Sequence, residues 1–570
     1  MDDDRLATLI PQPRSVRPAA GLLTLAAAPV VRAGGQGPAA DDAAAAVSRV
    51  IAAIPWPGQG SPGVGIPVVV HIDADALGQE AYRLSIEPGG VTIVAGGAAG
   101  AVYAAQTLRQ LLPDDAWRAA RLPGGEWHLP AAVIEDAPAL SWRGTHIDVA
   151  RHFFGKRELL GVIDALAALK INRLHLHLTD DQGWRIESRR FPRLHEIGSH
   201  RTRTRISLND EQPPVYEEIP HGGYYTLADL TEIAAYASDR MMTLVPEIDL
   251  PGHCAALLAA LPELGAGEPP PDGYKVSADW GILPYLLSPL PQARAALTEM
   301  LAELVGATGA RFVHIGGDEC VLDAWRADPR IVAYQRERGL ASADDLHAAF
   351  LRDIADTLAA DFGARALVWD EGFTSTAGQR AGLREDTIVM AWRGMQIARA
   401  AAEAGHEVVA TPVFPTYFDY YQEQAASEPV AIGGPVRIED VARFAPVPAD
   451  WPAEVRPRLI GTQFQVWTEY IADGRALEYM VFPRACALAD VAWSGGPVTW
   501  QDGARTGKPP LRERVSAHLG RLAAAGLEYR PLSGPAPWQQ GGTGPRRHRP
   551  GYLIEDVTVY LDRLAAGEQL

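Results

Sequence analysis

The chain has 570 residues, 47% of them hydrophobic and 21% charged, which supplies a large packed core and excludes a disordered composition. Its 70 acidic against 52 basic side chains leave a formal charge of −18, so nucleic acid and anionic membrane surfaces are excluded as expected partners. No stretch approaches the ~20 apolar residues that span a bilayer.

The N-terminus, Met-Asp-Asp-Asp, lacks the basic start of an export signal, and the apolar run at 22–31 is short and late, so it reads as an early strand. Cys254, Cys320 and Cys486 match neither a disulfide framework nor a zinc motif. Together these features predict a cytoplasmic protein.

Residues 1–137 mix Ala/Gly-rich loops with strands predicted at 68–72 and 91–94 and a helix at 98–112. This is an α+β unit with few clustered acids or histidines, which favours a structural or docking role. A Pro-bearing linker at 135–140 leads into a different regime. From Trp142 onward, eight short β-rich runs alternate with longer helical stretches such as 227–240 and 292–308. The runs are 144–149, 173–178, 243–248, 312–315, 366–369, 387–392, 407–411 and 462–467. Eight strands with crossovers predict an α/β chain built on a (β/α)8 TIM barrel, at 138–532, behind the N-terminal α+β accessory domain. A helix at 511–525 is expected to close the barrel. The tail at 533–570 carries a basic cluster, Arg546, Arg547, His548 and Arg549, read as a solvated segment, and a final helix at 553–564.

Barrels of this kind place their chemistry on loops leaving the C-terminal strand ends. Each predicted strand here runs into a polar or aromatic cluster: Asp148 and Arg151; Asp180 and Asp181; Glu247, Asp249 and His253; Asp318 and Glu319; Trp369, Asp370 and Glu371; Trp392; Tyr417 and Asp419; Trp467 and Glu469. One site built from many loops is the consequence.

The sharpest signal is HIGGDE at 314–319, where two glycines let the backbone turn tightly before two consecutive carboxylates. Adjacent acids repel, so one is expected to hold a proton near neutrality and serve as general acid. Trp325, Trp369, Trp392 and Trp467, with Tyr417, offer apolar faces with polar edges that suit sugar rings. A rival reading comes from His175 and His177, since a His-x-His pair on a barrel strand can hold a metal, with His253, Asp180 and His314 available. Both histidines fall inside the strand, which favours hydrogen bonding within the barrel. A sugar-binding protein without catalysis is a further alternative.

Eight segments in order resemble the β-N-acetylhexosaminidases, family 20 of the glycoside hydrolases. They are RGTHIDVARH (143–152), HLHLTDDQ (175–182), GGYYT (222–226), VPEIDLPGH (245–253), HIGGDE (314–319), VWDE (368–371), YFDYYQ (417–422) and VWTE (466–469). The N-terminal unit is similar to the family's accessory domain. The resemblance implies an exo-acting hydrolase that removes terminal β-linked N-acetylglucosamine or N-acetylgalactosamine, with no metal and no cofactor. On matching positions it implies Glu319 as general acid/base, Asp318 as the carboxylate on the acetamido nitrogen, and Tyr417 as the donor to the acetamido oxygen. It assigns sugar hydroxyls to Arg151, Asp419 and Glu469, and pocket walls to Trp369, Trp392 and Trp467. Asp180 and His253 are implied as partners of the acid.

Neighbouring carboxylates are poorly placed to straddle one bond, as a conventional retaining pair ~5 Å apart does, so the residues agree with a substrate-assisted, oxazolinium route. Three departures carry expectations of their own. Alanines at 346–350, where the family has an aromatic, predict a thinner pocket wall. A loop at 199–221 with Arg201, Arg203 and Arg205 is expected to shape the site beyond the terminal sugar. Cys254 and Cys320, next to His253 and Glu319, suggest either thiol sensitivity or buried inert thiols.

Overall fold

The computed structural model describes residues 3–58, 65–122, 124–209, 211–374, 382–501 and 509–541. The basic cluster and the helix expected at 553–564 lie outside the described residues.

The N-terminal unit is a six-stranded sheet built from β1 (Ser15–Leu25), β2 (Val30–Ala33), β3 (Pro67–Ile72), β4 (Tyr82–Glu87), β5 (Gly90–Ala95) and β6 (Trp127–Asp136). Their spatial order is β1-β6-β4-β5-β3-β2. Alternation sets its faces: in β4, Tyr82, Leu84 and Ile86 are buried while Arg83 and Glu87 face water. Helices α1 (Pro38–Ala52) and α2 (Ala98–Leu111) share its apolar core, which includes Val47, Ile51, Val102 and Leu108. The run at 22–31 is the end of β1, a turn and the start of β2, so the single early strand expected there is two. The linker is also shorter than expected, because Glu135 and Asp136 still belong to β6.

The barrel strands are β7 (Trp142–Asp148), β8 (Arg173–His177), β9 (Thr243–Leu250), β10 (Phe312–Gly316), β11 (Arg365–Trp369), β12 (Ile388–Ala391), β13 (Val408–Ala410) and β14 (Leu459–Val466). All eight predicted runs fall on them. They pair in chain order, and β14 returns to β7 through Gly461↔Trp142 to Val466↔Ile147, so strand pairing itself closes the barrel. Along β8 the outward residues Leu174 and Leu176 join the apolar layer beneath the helices, while His175 and His177 point inward. The crossover from β11 to β12 holds only a 3-10 turn at Asp370–Gly372 among the described residues.

The helix expected to close the barrel is present at Leu511–Ala525, but it works as a brace between domains. Its Arg514 pairs with Asp490 of the barrel at 2.5 Å and donates to the Leu9 carbonyl at 3.3 Å, while His518 packs edge-on against Trp117. Charges also lock the domains elsewhere. Lys170 reaches Asp136 at 3.0 Å under the Trp493 ring, and Arg143 reaches Glu80 at 2.7 Å. Ion pairs this buried hold one geometry, because separating them would strand a charge away from water.

Candidate active site

The largest concentration of chemistry sits at the C-terminal ends of the barrel strands. Every strand end contributes: Arg151 after β7, Asp180 after β8, Asp249 and His253 at β9, Asp318 and Glu319 after β10, and Trp369 at β11. Trp392 follows β12, Tyr417, Asp419, Tyr420 and Ile432 follow β13, and Trp467 and Glu469 follow β14. All eleven site residues singled out from the sequence line this one pocket.

Local backbone conformation aims the acids. Gly316 and Gly317 have φ of 67° and 103°, and Glu319 itself sits at φ 51°, a left-handed conformation that costs a non-glycine residue energy. A side chain on Gly316 would begin 1.6 Å from Asp249 Oδ1, so only glycine lets the β10 turn pass over that carboxylate. His253 shares the same conformation at φ 49°, which turns its imidazole back toward the acids.

A chain of ion-pair contacts then runs through the pocket. His253 Nε2 lies 3.3 Å from Glu319 Oε2 and 3.9 Å from Asp318 Oδ2, and its Nδ1 lies 3.3 Å from Asp180 Oδ1. Burial works against a charged imidazole, but Asp180, Asp181 and Glu319 outweigh it and hold His253 well above its usual range. Asp180 also pairs with Arg151 at 2.9 Å, and it stays ionised because Arg151, His253 and His177 together overcome its desolvation.

Asp318 is the acid of the pair that is pushed up, to about 6, by burial and secondarily by Glu319. That departs from the expectation from adjacency, in which the acid holding the proton is the general acid: the raised acid is Asp318, the one the family resemblance places on the acetamido nitrogen. Asp249 is raised further by burial and by Asp318, and neither of its carboxylate oxygens has a hydrogen-bond partner among the described residues. Opposite, Asp419 and Glu469 are both raised by burial, and the Asp419 Oδ1 atom is unpaired. Buried acceptors without partners are costly in an empty protein, and a polyhydroxylated ligand would satisfy them.

Three indoles wall the cavity. Trp467 lies under the Arg151 guanidinium, 5.0 Å from the ring centre, and within 6.5 Å of the Tyr417 ring. Trp392 donates to Glu371 at 2.7 Å, and Trp369 donates to Glu247 at 3.0 Å.

Glu247 is not at the pocket, although the sequence groups it with the strand-end acids. Its carboxylate lies in the barrel interior, 2.5 Å from His177 Nδ1, 3.1 Å from His175 Nε2, 2.7 Å from His314 Nδ1 and 3.9 Å from His146 Nε2. Burial opposes its charge, and the surrounding histidines hold it ionised all the same. His177 is charged by Glu247 and Asp180 against the cost of burial, whereas burial keeps His146 neutral and lowers His175 to about 4. Both His177 nitrogens face carboxylates, at 2.5 Å and 2.7 Å, which is the hydrogen bonding within the barrel expected for the His-x-His pair. Donor atoms of acids and histidines converge within 4.8 Å in five groups among the described residues, two around Glu247 and one at Asp249, His253 and Asp318.

One further expectation is corrected: Trp325 belongs to the core, with Nε1 donating to the Leu287 carbonyl at 3.0 Å, and does not line the pocket. The alanines at 346–350 lie on α3 (Ala343–Phe362), which contributes no residue to the pocket lining. In the arginine loop, Arg205 is buried on the carbonyls of Leu208, Asn209 and Glu211, and Arg203 pairs with Glu218 at 3.3 Å. None of the three arginines lines the pocket itself, but Arg201 donates to the Gln182 carbonyl at 3.2 Å and so packs beside Arg151's partner. Burial pushes the Cys254 and Cys320 thiols well above their usual range, which makes both poor nucleophiles. Tyr420 and Ile432 line the pocket without having been singled out, and Asp249, named only as part of a strand-end cluster, lines it as well.

Comparison with known proteins covers nearly all of the described chain. Residues 140–496 match the model of the glycosyl hydrolase family 20 catalytic domain, and residues 7–137 match the family's domain 2. A β-hexosaminidase of Porphyromonas gingivalis is 34% identical over 484 residues, covering 84% of this chain and 58% of that protein. The chain thus spans little more than half the length of that relative. The exo β-N-acetylglucosaminidase of Vibrio harveyi, solved in complex with N-acetylglucosamine, superposes with a TM-score of 0.74 at 28% identity. That match covers 92% of this chain and 78% of the other. The β-N-acetylhexosaminidase of Streptomyces coelicolor gives a TM-score of 0.73 at 27% identity, covering 93% and 99%.

Proposed function

Because the chain belongs to glycosyl hydrolase family 20, we propose that it is an exo-acting β-N-acetylhexosaminidase working by substrate assistance with retention of configuration. The observation that carries this reading is the convergence of Asp318, Glu319 and Tyr417 on one three-tryptophan pocket. Two acids on consecutive residues are poorly placed to straddle one bond, and the family's substrate-assisted route needs only an acid and a clamp around the amide. The attacking atom in this reading is the substrate's own acetamido oxygen.

In the first step the Glu319 carboxylic acid gives its proton to the glycosidic oxygen while the 2-acetamido carbonyl oxygen attacks C1. The C1–O bond to the leaving group breaks, and an oxazolinium forms. Asp318, as a carboxylate, accepts the acetamido N–H and offsets the positive charge that grows on nitrogen; Tyr417 donates its O–H to the acetamido oxygen and aligns it. In the second step the Glu319 carboxylate takes a proton from water, which attacks C1 from the face the leaving group vacated. The acetamido group is released and the acid is restored.

The remaining residues hold the terminal sugar. Arg151, Asp419 and Glu469 supply donors and acceptors for its hydroxyls, and the indoles of Trp369, Trp392 and Trp467 cover its C–H faces. His253, clamped by Asp180, shares a proton contact with Glu319 and steadies its carboxylate between the two steps.

A panel of aryl β-glycosides with and without the 2-acetamido group tests the reading. Turnover is expected on the 2-acetamido-2-deoxy glycosides, with plain glucosides at least about a thousandfold slower, since the attacking group is missing. Equal rates on both series would overturn substrate assistance.

A further inference from the structure

A second cavity takes no part in the chemistry above. Its lining includes Pro429, Val430, Tyr470, Ala476, Tyr479 and Trp538. It shares two chain segments with the catalytic pocket. Glu469 lines the pocket while the next residue, Tyr470, lines the groove; Ile432, 43% exposed, lines the pocket while Val430 lines the groove.

Trp538 is 64% exposed, the highest figure among the large hydrophobic side chains described. An exposed indole offers a broad apolar face that a ligand can cover. This one is also held in place. Its Nε1 donates to Glu528 Oε1 at 3.1 Å, and Glu528 is fixed in turn by Arg475 at 2.8 Å and by Gln539. The polar edge is pinned by charge-assisted bonds and the aromatic face is left open.

We propose that this groove binds the reducing-side sugar units of an oligosaccharide substrate, with the Trp538 face as a stacking platform. The inference rests on the glycosidase reading. A pocket that receives one terminal sugar must let the rest of the chain leave through its mouth, and the 430–432 and 469–470 segments lead from that mouth into the groove. A neutral pyranose suits it, because the flanking Arg475 and Glu528 cancel each other and an indole face prefers C–H surface. Trp538, with Glu528 and Gln539, lies beyond residues 140–496, so the stacking platform is supplied by chain outside the matched catalytic domain while the rest of the groove lies within it.

The test compares kcat/KM on chitotetraose with kcat/KM on an aryl N-acetyl-β-glucosaminide. The ratio cancels any general loss of active enzyme. Trp538→Ala should lower it about fivefold or more, the scale of one aromatic stack, and Trp538→Phe should keep it within about twofold of the native value. An alanine variant with the native ratio overturns the proposal. A second arm uses calorimetry of chitotetraose binding to Glu319→Gln, where adding Trp538→Ala should raise Kd about fivefold and an unchanged Kd refutes the groove. Native protein that fails to cleave the aryl glycoside removes the glycosidase reading instead, and the calorimetric arm still decides whether the groove binds sugar.

Discussion

Two layers of acid and imidazole lie one above the other in this barrel, and they do opposite things with buried charge. The lower layer is Glu247 ringed by His146, His175, His177 and His314, all with no accessible surface. Its carboxylate is answered on several sides. The upper layer, Asp249, His253, Asp318 and Glu319, opens into the pocket with carboxylate oxygens that have no partner, including Asp318 Oδ1 and both oxygens of Asp249. Paired charge below makes a rigid floor; above, carboxyl oxygens of Asp249 and Asp318 without hydrogen-bond partners among the described residues face the pocket. The layers are joined by His177, which touches Glu247 at 2.5 Å and Asp180 at 2.7 Å, and by Trp369 resting on Glu247.

The comparison breaks most visibly at Glu319. Glu319→Gln should lower kcat on chitobiose by about a thousandfold or more, the upper part of the range for general acid–base catalysis, while the urea midpoint stays near native. The loss should be smaller on a nitrophenyl glycoside, whose leaving group needs little proton donation. A uniform loss across leaving groups would argue that the substitution damaged the fold.

Asp318→Asn should cost about a hundredfold to a thousandfold in kcat, because a neutral amide cannot offset the positive charge on the acetamido nitrogen. Its effect on stability should run the other way. The Asp318 carboxyl sits at about 6 in the folded protein, above its ordinary value. Between about pH 4 and 6 the folded state therefore binds more protons than the unfolded one, so this group's contribution to stability falls as pH rises. Above that window the buried charge is a constant cost, and the asparagine variant should show a raised urea midpoint at pH 8.

Glu247→Ala should do the reverse of Asp318→Asn: a loss of about 3–5 kcal/mol in unfolding free energy, because it removes the buried carboxylate that His175, His177, His314 and Trp369 all contact. Urea titration at pH 7 checks it. A native midpoint would mean that the lower layer is not the floor described here.

The pH profile sharpens the contrast further. Asp318 must be ionised to receive the acetamido N–H, so kcat/KM should rise through an acid limb centred near pH 6, set by burial of that carboxyl. In Asp318→Asn the residual activity should lack this limb. The smallest effect is expected at the thiols. Cys254 and Cys320 flank the acid machinery but are held as thiols by burial, so iodoacetamide at pH 7 should leave the initial rate within about twofold of native over an hour.

Much of the barrel and the pocket was legible in the linear chain because parallel strands buried on both faces read as apolar runs, and their C-terminal ends must carry whatever chemistry the fold performs. The turn at 314–319 announced itself through Gly316 and Gly317, since no other residue could pass over Asp249. The same rule misplaced Glu247, because alternation alone does not tell the inner end of a strand from its mouth. Trp325 was misread for a related reason: an indole beside an acid looks the same in sequence whether it faces sugar or core.

What the sequence determined by itself was the set of eight strands, the polar clusters at their ends and the acid pair at 318–319, which follow from local periodicity, while the choice of eleven site residues among those clusters came from the resemblance to family 20. Only the tertiary structure decided which acid of the pair is raised, which histidines are charged, and that the 511–525 helix braces two domains. Those outcomes depend on desolvation and on partners brought together from distant strands, and neither quantity exists until the chain has folded.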